Sequence, residues 1–197
     1  MKLSKVFDEC IASFAKPRET AKRLAKAEFA DGVKAVILGS LVAAAILALL
    51  SLTVISFFSS AILGMPLIGA GANQFLLMFG GLAALGLFIV MPVMTIILWV
   101  IYTLIVWVVA KILGGKGEYS TFAAAWAFPT AVLIALSWVP VVNLILLIYA
   151  IYLLYVFLQP TMKMDSDKAA LTVILTIIVW IVLAVITGSG FVIGAMP

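Results

Sequence analysis

The sequence predicts an all-α fold: a polytopic integral membrane helical bundle of five transmembrane helices, with an N-terminal amphipathic and basic helical segment. Three observations carry this. Of 197 residues, 66% are hydrophobic and 10% charged, with a mean hydropathy of +1.35; a soluble domain is roughly 45–50% apolar and about 25% charged. Several uncharged runs match the length needed to cross a hydrocarbon core of about 30 Å. Threaded through five spans, all 12 Lys and Arg residues fall on one face, the arrangement that the positive-inside bias requires.

Residues 1–31 are assigned to a cytoplasmic amphipathic and basic juxtamembrane segment, and 32–197 to one membrane domain. Within 1–16, Leu3, Val6, Phe7, Cys10, Ile11 and Phe14 recur at helical spacing, opposite Lys2, Lys5, Asp8, Glu9 and Ser13. That pattern suits a helix lying in the membrane interface or one packing on the cytoplasmic end of the bundle. Cys10, on the apolar side, reads as a core cysteine. Pro17 suits the first position of a second helix. The basic run that follows contains Lys16, Arg18, Lys22, Arg23, Lys26 and Lys34, diluted by Glu19, Glu28 and Asp31. Such cations attract anionic lipid headgroups by about 1 kcal/mol each near the surface, and they also set topology. A charged start of this kind is not a cleavable signal peptide, so the first span serves as its own insertion signal.

The spans are expected at about 33–57, 82–112, 119–137, 141–158 and 169–187. Gly39, Ala43, Ala44 and Ala48 give the first a small-residue face that admits a close neighbour. Residues 58–74, uncharged and interrupted by Gly64, Pro66, Gly69 and Gly71, are expected to form a loop at the outer surface. As a single helix, 75–112 would run about 57 Å. It is therefore two spans, or one with an extension, and Gly80, Gly81, Gly86 and Pro92 offer breaks. Charge decides for one span: a split would strand Lys111, Lys116, Lys163 and Lys168 on the opposite face. Gly114-Gly115-Lys116-Gly117-Glu118 lacks the residues of a phosphate-binding loop and reads as a tight turn. Segments 119–137 and 141–158 form a hairpin turned at Trp138-Val139-Pro140. The tail 188–197 is expected at the outer interface. The N-terminus is cytoplasmic and the C-terminus outside, in the cell membrane if the source is prokaryotic.

Chemistry is sparse. The absence of histidine excludes imidazole ligation and Ser-His or Cys-His nucleophiles. The acidic residues Asp8, Glu9, Glu19, Glu28, Asp31, Glu118, Asp165 and Asp167 all fall in cytoplasmic segments, so no buried carboxylate is available for coupled transport or acid–base work. No catalytic residue, metal or cofactor is expected. The candidate lipid or partner contacts are Lys16, Arg18, Lys22, Arg23, Lys26, Lys116 and Lys168. The candidate intramembrane polar or hinge residues are Pro129, Pro140, Asn143, Tyr152 and Gln159. Tyr152, Tyr155 and Gln159 recur at successive turns, as a polar stripe or as interface anchors. Trp99 and Trp107 read as packing or lipid contact.

Pro17 ahead of the first span and a long apolar stretch ending in Gly114-Gly115-Lys116-Gly117 make a familiar order. Ser120, Thr121 and Phe122 follow, then Trp126-Ala127-Phe128-Pro129, the Trp138-Val139-Pro140 turn, and Lys168-Ala169-Ala170 before the last span. Over roughly 17–190 this resembles the Yip-domain family, five-span proteins named for interaction with Ypt/Rab GTPases, in its prokaryotic form. The resemblance implies a non-enzymatic protein of membrane organisation or recruitment. The N-terminal region here is only residues 1–31, against a substantial one in eukaryotic relatives, so a Rab-type partner is not carried over. The expected contacts are anionic lipid and a protein partner at the basic cytoplasmic face, and no nucleic acid. The alternatives are a passive channel or lipid-translocating protein, with a path along the third span facing Asn143, Tyr152 and Gln159, and a structural subunit of a larger complex.

Overall fold

The computed structural model describes residues 1–63, 70–137 and 140–193. These form α1 (Leu3–Ala15), α2 (Pro17–Leu24), α3 (Phe29–Leu63), α4 (Ala70–Ile112), α5 (Tyr119–Leu136), α6 (Pro140–Met162) and α7 (Ser166–Ile193), with no strand among the described residues. Each of α3 to α7 contains a stretch long and apolar enough to cross a membrane: Phe29–Ser51, Gly86–Ile112, Tyr119–Leu136, Val142–Met162 and Ser166–Leu183. The bundle is the five-span architecture that charge parity predicts.

The ends of the helices differ from expectation in one direction: the helices are longer. α4 is one helix of 43 residues, about 65 Å, and Gly80, Gly81, Gly86 and Pro92 do not end it. The expected loop at 58–74 is helical over 58–63 and 70–74; 64–69 lie outside the described residues. α7 takes in 188–193 of the expected tail, with 194–197 outside the description, and α6 carries Pro160 inside its last turn. At the other end of α6 the expected turn includes Trp138 and Val139, which are outside the description, and Pro140 opens the helix. α3 begins at Phe29, so the boundary drawn at 31 falls in its first turn. The common cause is the solvent. Away from water a broken backbone hydrogen bond has no replacement partner, so glycine and proline that would end a helix in water are carried through.

α5 is the central helix. Phe122, Ala123, Ala124, Ala125, Trp126, Ala127, Phe128, Pro129 and Ala131 are all buried, and α1, α2, α3, α4 and α6 pack around it. Its alanines let α3 come unusually near. A Cβ on Gly32 would lie 2.8 Å from Ala124 Cα, and one on Gly39 2.6 Å from Ala131 Cα. Both pairs advance by seven residues, so the helices run parallel with a seam of small residues repeating every two turns.

The turn between α4 and α5 is a Schellman motif. Gly114 has φ +87°, its N–H donates to Lys111 O at 3.0 Å, and the Gly115 N–H donates to Ala110 O at 2.8 Å. The loop then clips onto α6: Lys116 N–H donates to Met162 O at 2.8 Å and Gly117 N–H to the same oxygen at 3.3 Å. Trp107 Nε1 donates to Gly117 O at 3.3 Å, and its ring packs edge-on to Tyr119.

Candidate functional site

The basic N-terminal segment folds onto the flank of the bundle rather than beyond its end. Lys16 separates α1 from α2 with an irregular backbone (φ −133°, ψ 63°), and Pro17 takes the first helical position. Thr20 Oγ1 donates to Ala12 O at 3.1 Å, and Arg23 bonds Glu9 at 2.6 Å, closing the two helices into a V. Tyr149 anchors the apex: its hydroxyl donates to Phe14 O at 2.6 Å, and the two rings meet edge-on at 4.8 Å. Tyr149 lies about 20 Å along α6 from the end at Met162.

Within α1, the single apolar side read from the sequence divides in two. Val6 and Cys10, with Glu9 and Ser13, are buried against the bundle, whereas Leu3, Phe7 and Ile11 form an exposed row at i, i+4 and i+8. Lys5 and Asp8 occupy a third, polar side. The helix thus meets protein on one side while keeping an exposed apolar edge and a polar edge, which unites the interfacial and bundle-packing expectations. Cys10 is a core thiol, pushed up to about 12 by burial and by the neighbouring Glu9 carboxylate.

Between α2 and α6 lies a cavity of about 420 Å³ lined by Arg18, Lys22, Tyr155, Val156, Gln159 and Pro160. Arg18 and Lys22 stand four residues apart, on one face of α2. Neither forms an ion pair among the described residues. Tyr155 and Gln159 add neutral hydrogen-bonding groups from the facing helix. Of the polar stripe, Tyr155 and Gln159 therefore line a groove; exposed Tyr152 continues it along α6, its ring 5.8 Å from that of Tyr149.

The remaining candidates are dispersed. Lys16 is exposed at the apex of the V; Arg23 is turned onto Glu9. Lys26 borders a separate mixed-charge cavity of about 340 Å³ with Glu9, Glu28 and Asp31. Lys116 and Lys168 are exposed near the α4–α5 turn. Asp31, read from the sequence only as dilution of positive charge, is buried and accepts from Lys34 at 2.7 Å and from the Met1 amino group at 2.6 Å.

The intramembrane path does not assemble. Pro129 is buried inside α5, which stays helical to Leu136. Asn143 is exposed, and at 100° per residue it projects from α6 about 180° away from Tyr152. On that opposite side of α6 two apolar cavities of about 500 and 420 Å³ share Tyr102, Leu147 and Ala150. Trp99 packs on Phe29 at 5.6 Å and is a core residue. Among the described residues no group of His, Cys, Asp and Glu is placed to hold a metal.

Sequence reasoning missed Glu9, Phe14 and Tyr149 as the residues that fix the V. Tyr149 shares the three-to-four-residue spacing of Tyr152 and Tyr155, a signal that could have extended the stripe. The Glu9–Arg23 pair leaves no local pattern. Searches of curated proteins and of solved structures find no match. The model of the Yip1 domain family matches residues 11–187, from α1 through all five spans, and the chain belongs to that family.

Proposed function

We propose that this Yip1-family membrane protein is non-enzymatic and acts in membrane organisation or protein recruitment through the basic end of its bundle, which faces the cytoplasm. The observation that carries this reading is the placement of Arg18 and Lys22, two cations with no carboxylate partner among the described residues, in a cavity at that end. Exposed Lys16, Lys26, Lys116 and Lys168 extend the same field, favouring anionic lipid and an acidic protein surface. The separation of Asn143 from Tyr152 and Gln159 removes the support for a passive conduit along that route.

Deleting the N-terminal segment is a poor test, because Val6, Cys10, Ala21 and Leu24 belong to the core. Replacing Lys16, Arg18, Lys22, Lys26, Lys116 and Lys168 together by Gln keeps the core intact. Mass spectrometry of material extracted with its own lipids should find a stoichiometric protein partner with the natural chain and none with the neutralised one. Equal recovery with both chains overturns recruitment through this face.

A further inference from the structure

We infer that the α2–α6 cavity is a receptor for the phosphomonoester headgroup of a membrane lipid. The inference deepens the lipid-contact part of the proposed function and needs no protein partner. Arg18 and Lys22 bring two positive charges to one wall, and the lining contains no carboxylate. A phosphomonoester carries about −1.5 to −2 at neutral pH, which two cations match; a phosphodiester carries a single charge and leaves one cation over. Arg18 offers a planar fork to two phosphate oxygens and Lys22 a mobile point charge. From the opposite wall, the Tyr155 hydroxyl and the Gln159 amide can donate to the remaining oxygens.

Position selects a lipid over a soluble phosphate. Tyr155 and Gln159 lie within the Val142–Met162 span, about 10 and 5 Å from its end, so a group held between them enters from the membrane rather than from bulk water. Val156 and Pro160 complete an apolar margin, and exposed Tyr152 continues along the same side of α6, where an acyl chain would run. The volume of about 420 Å³ accommodates a phosphate with its glycerol linkage.

The test is native mass spectrometry of the full chain in detergent, titrated separately with phosphatidic acid, phosphatidylglycerol and phosphatidylcholine. The expected order is phosphatidic acid well ahead of phosphatidylglycerol, with phosphatidylcholine weakest. The double variant Arg18→Gln, Lys22→Gln should lose about thirtyfold in affinity for phosphatidic acid. Lys2→Gln with Lys163→Gln, which removes the same charge from exposed positions outside the cavity and outside the basic face, should retain it. Tyr155→Phe and Gln159→Leu should each lower the preference for monoester over diester. Equal affinity for the two anionic lipids overturns the monoester assignment. Unchanged binding in the Arg18, Lys22 variant overturns the site. Displacement by millimolar inorganic phosphate assigns the cavity to a soluble anion and overturns the lipid assignment. Because no partner is present, these outcomes stand apart from success or failure of recruitment.

Discussion

α5 carries no charge over its spanning length and α7 none beyond Asp167 and Lys168 in its first turn, yet they occupy opposite extremes of the bundle. α5 is the least apolar of the five spans and the most buried, with 50% of its span enclosed; α7 is more apolar and only 22% enclosed. In water the order would be reversed. Lipid tails are as apolar as leucine, so greater hydropathy gives a span no reason to seek the interior, and the position goes to the helix that lets its neighbours approach most closely. Ala123, Ala124, Ala125, Ala127 and Ala131 give α5 that property. α7 instead exposes Ile174, Ile178, Ile181 and Val185, bulky side chains that acyl chains solvate well.

The largest test of this contrast is steric. Gly39→Leu drives a side chain into the backbone of α5 at Ala131 and should cost about 3 kcal/mol or more, seen as loss of the monodisperse peak after mild heating in detergent. Gly86→Leu, with no described atom within 4 Å of a new Cβ, should stay within about 0.5 kcal/mol. Similar behaviour of the two variants would break the claim that small residues organise the core. Next in size, Ala127→Leu in α5 should destabilise by about 1–3 kcal/mol, whereas Ile178→Ala in α7 should change stability by less than about 0.5 kcal/mol. Equal losses would mean that α7 is also packed, for instance against another copy.

A smaller effect sharpens the same contrast inside α1. Cys10 faces the bundle and Phe7 faces outward, so in a Cys10→Ser background Phe7→Cys should react with a water-soluble maleimide at least a hundredfold faster than Cys10 does in the natural chain, by about that order for a buried protonated thiol. With its pKa raised from 9.0 to about 12, the Cys10 thiol favours the folded state fully below pH 9. That contribution is lost as pH rises from 9 toward 12, because the unfolded chain ionises first. A Cys10 reaction rate that levels off near pH 9 would place the thiol in contact with water.

Features that depend on charge were readable before the structure. Lys111, Lys116, Lys163 and Lys168 force 75–112 to count as one span, and the glycines at 114, 115 and 117 announce a turn. Helix ends were less legible, because Gly80, Gly188 and Pro160 are read by rules for helices in water. Packing was least legible of all. The small-residue face through Gly39 announced that some helix comes close to α3, but periodicity reveals a buried face only when the other face is polar, and α5 is largely apolar all round, so nothing in its pattern names it as that neighbour. The basic cavity was half visible: Arg18 and Lys22 stood out by charge and Gln159 by its place in an apolar span. The contact of Phe14 with Tyr149 and the packing of α2 on α6 bring the two sets together.

That contact also sets an order of assembly. Phe14 and Tyr149 are 135 residues apart in the chain, and a ribosome adding about 5–20 residues per second needs on the order of ten seconds to deliver the second after the first. Until α5 is delivered, α1 has only α2 and α3 to dock against, and Val6 and Cys10 share much of the situation of Leu3, Phe7 and Ile11. A helix with an apolar sector this broad can wait on the bilayer surface, then surrender part of the sector to α3 and α5 as they arrive. The N-terminal V is thus translated ahead of every span it docks on and is among the last elements to close, and the basic cavity stays unformed until the fourth span is in place.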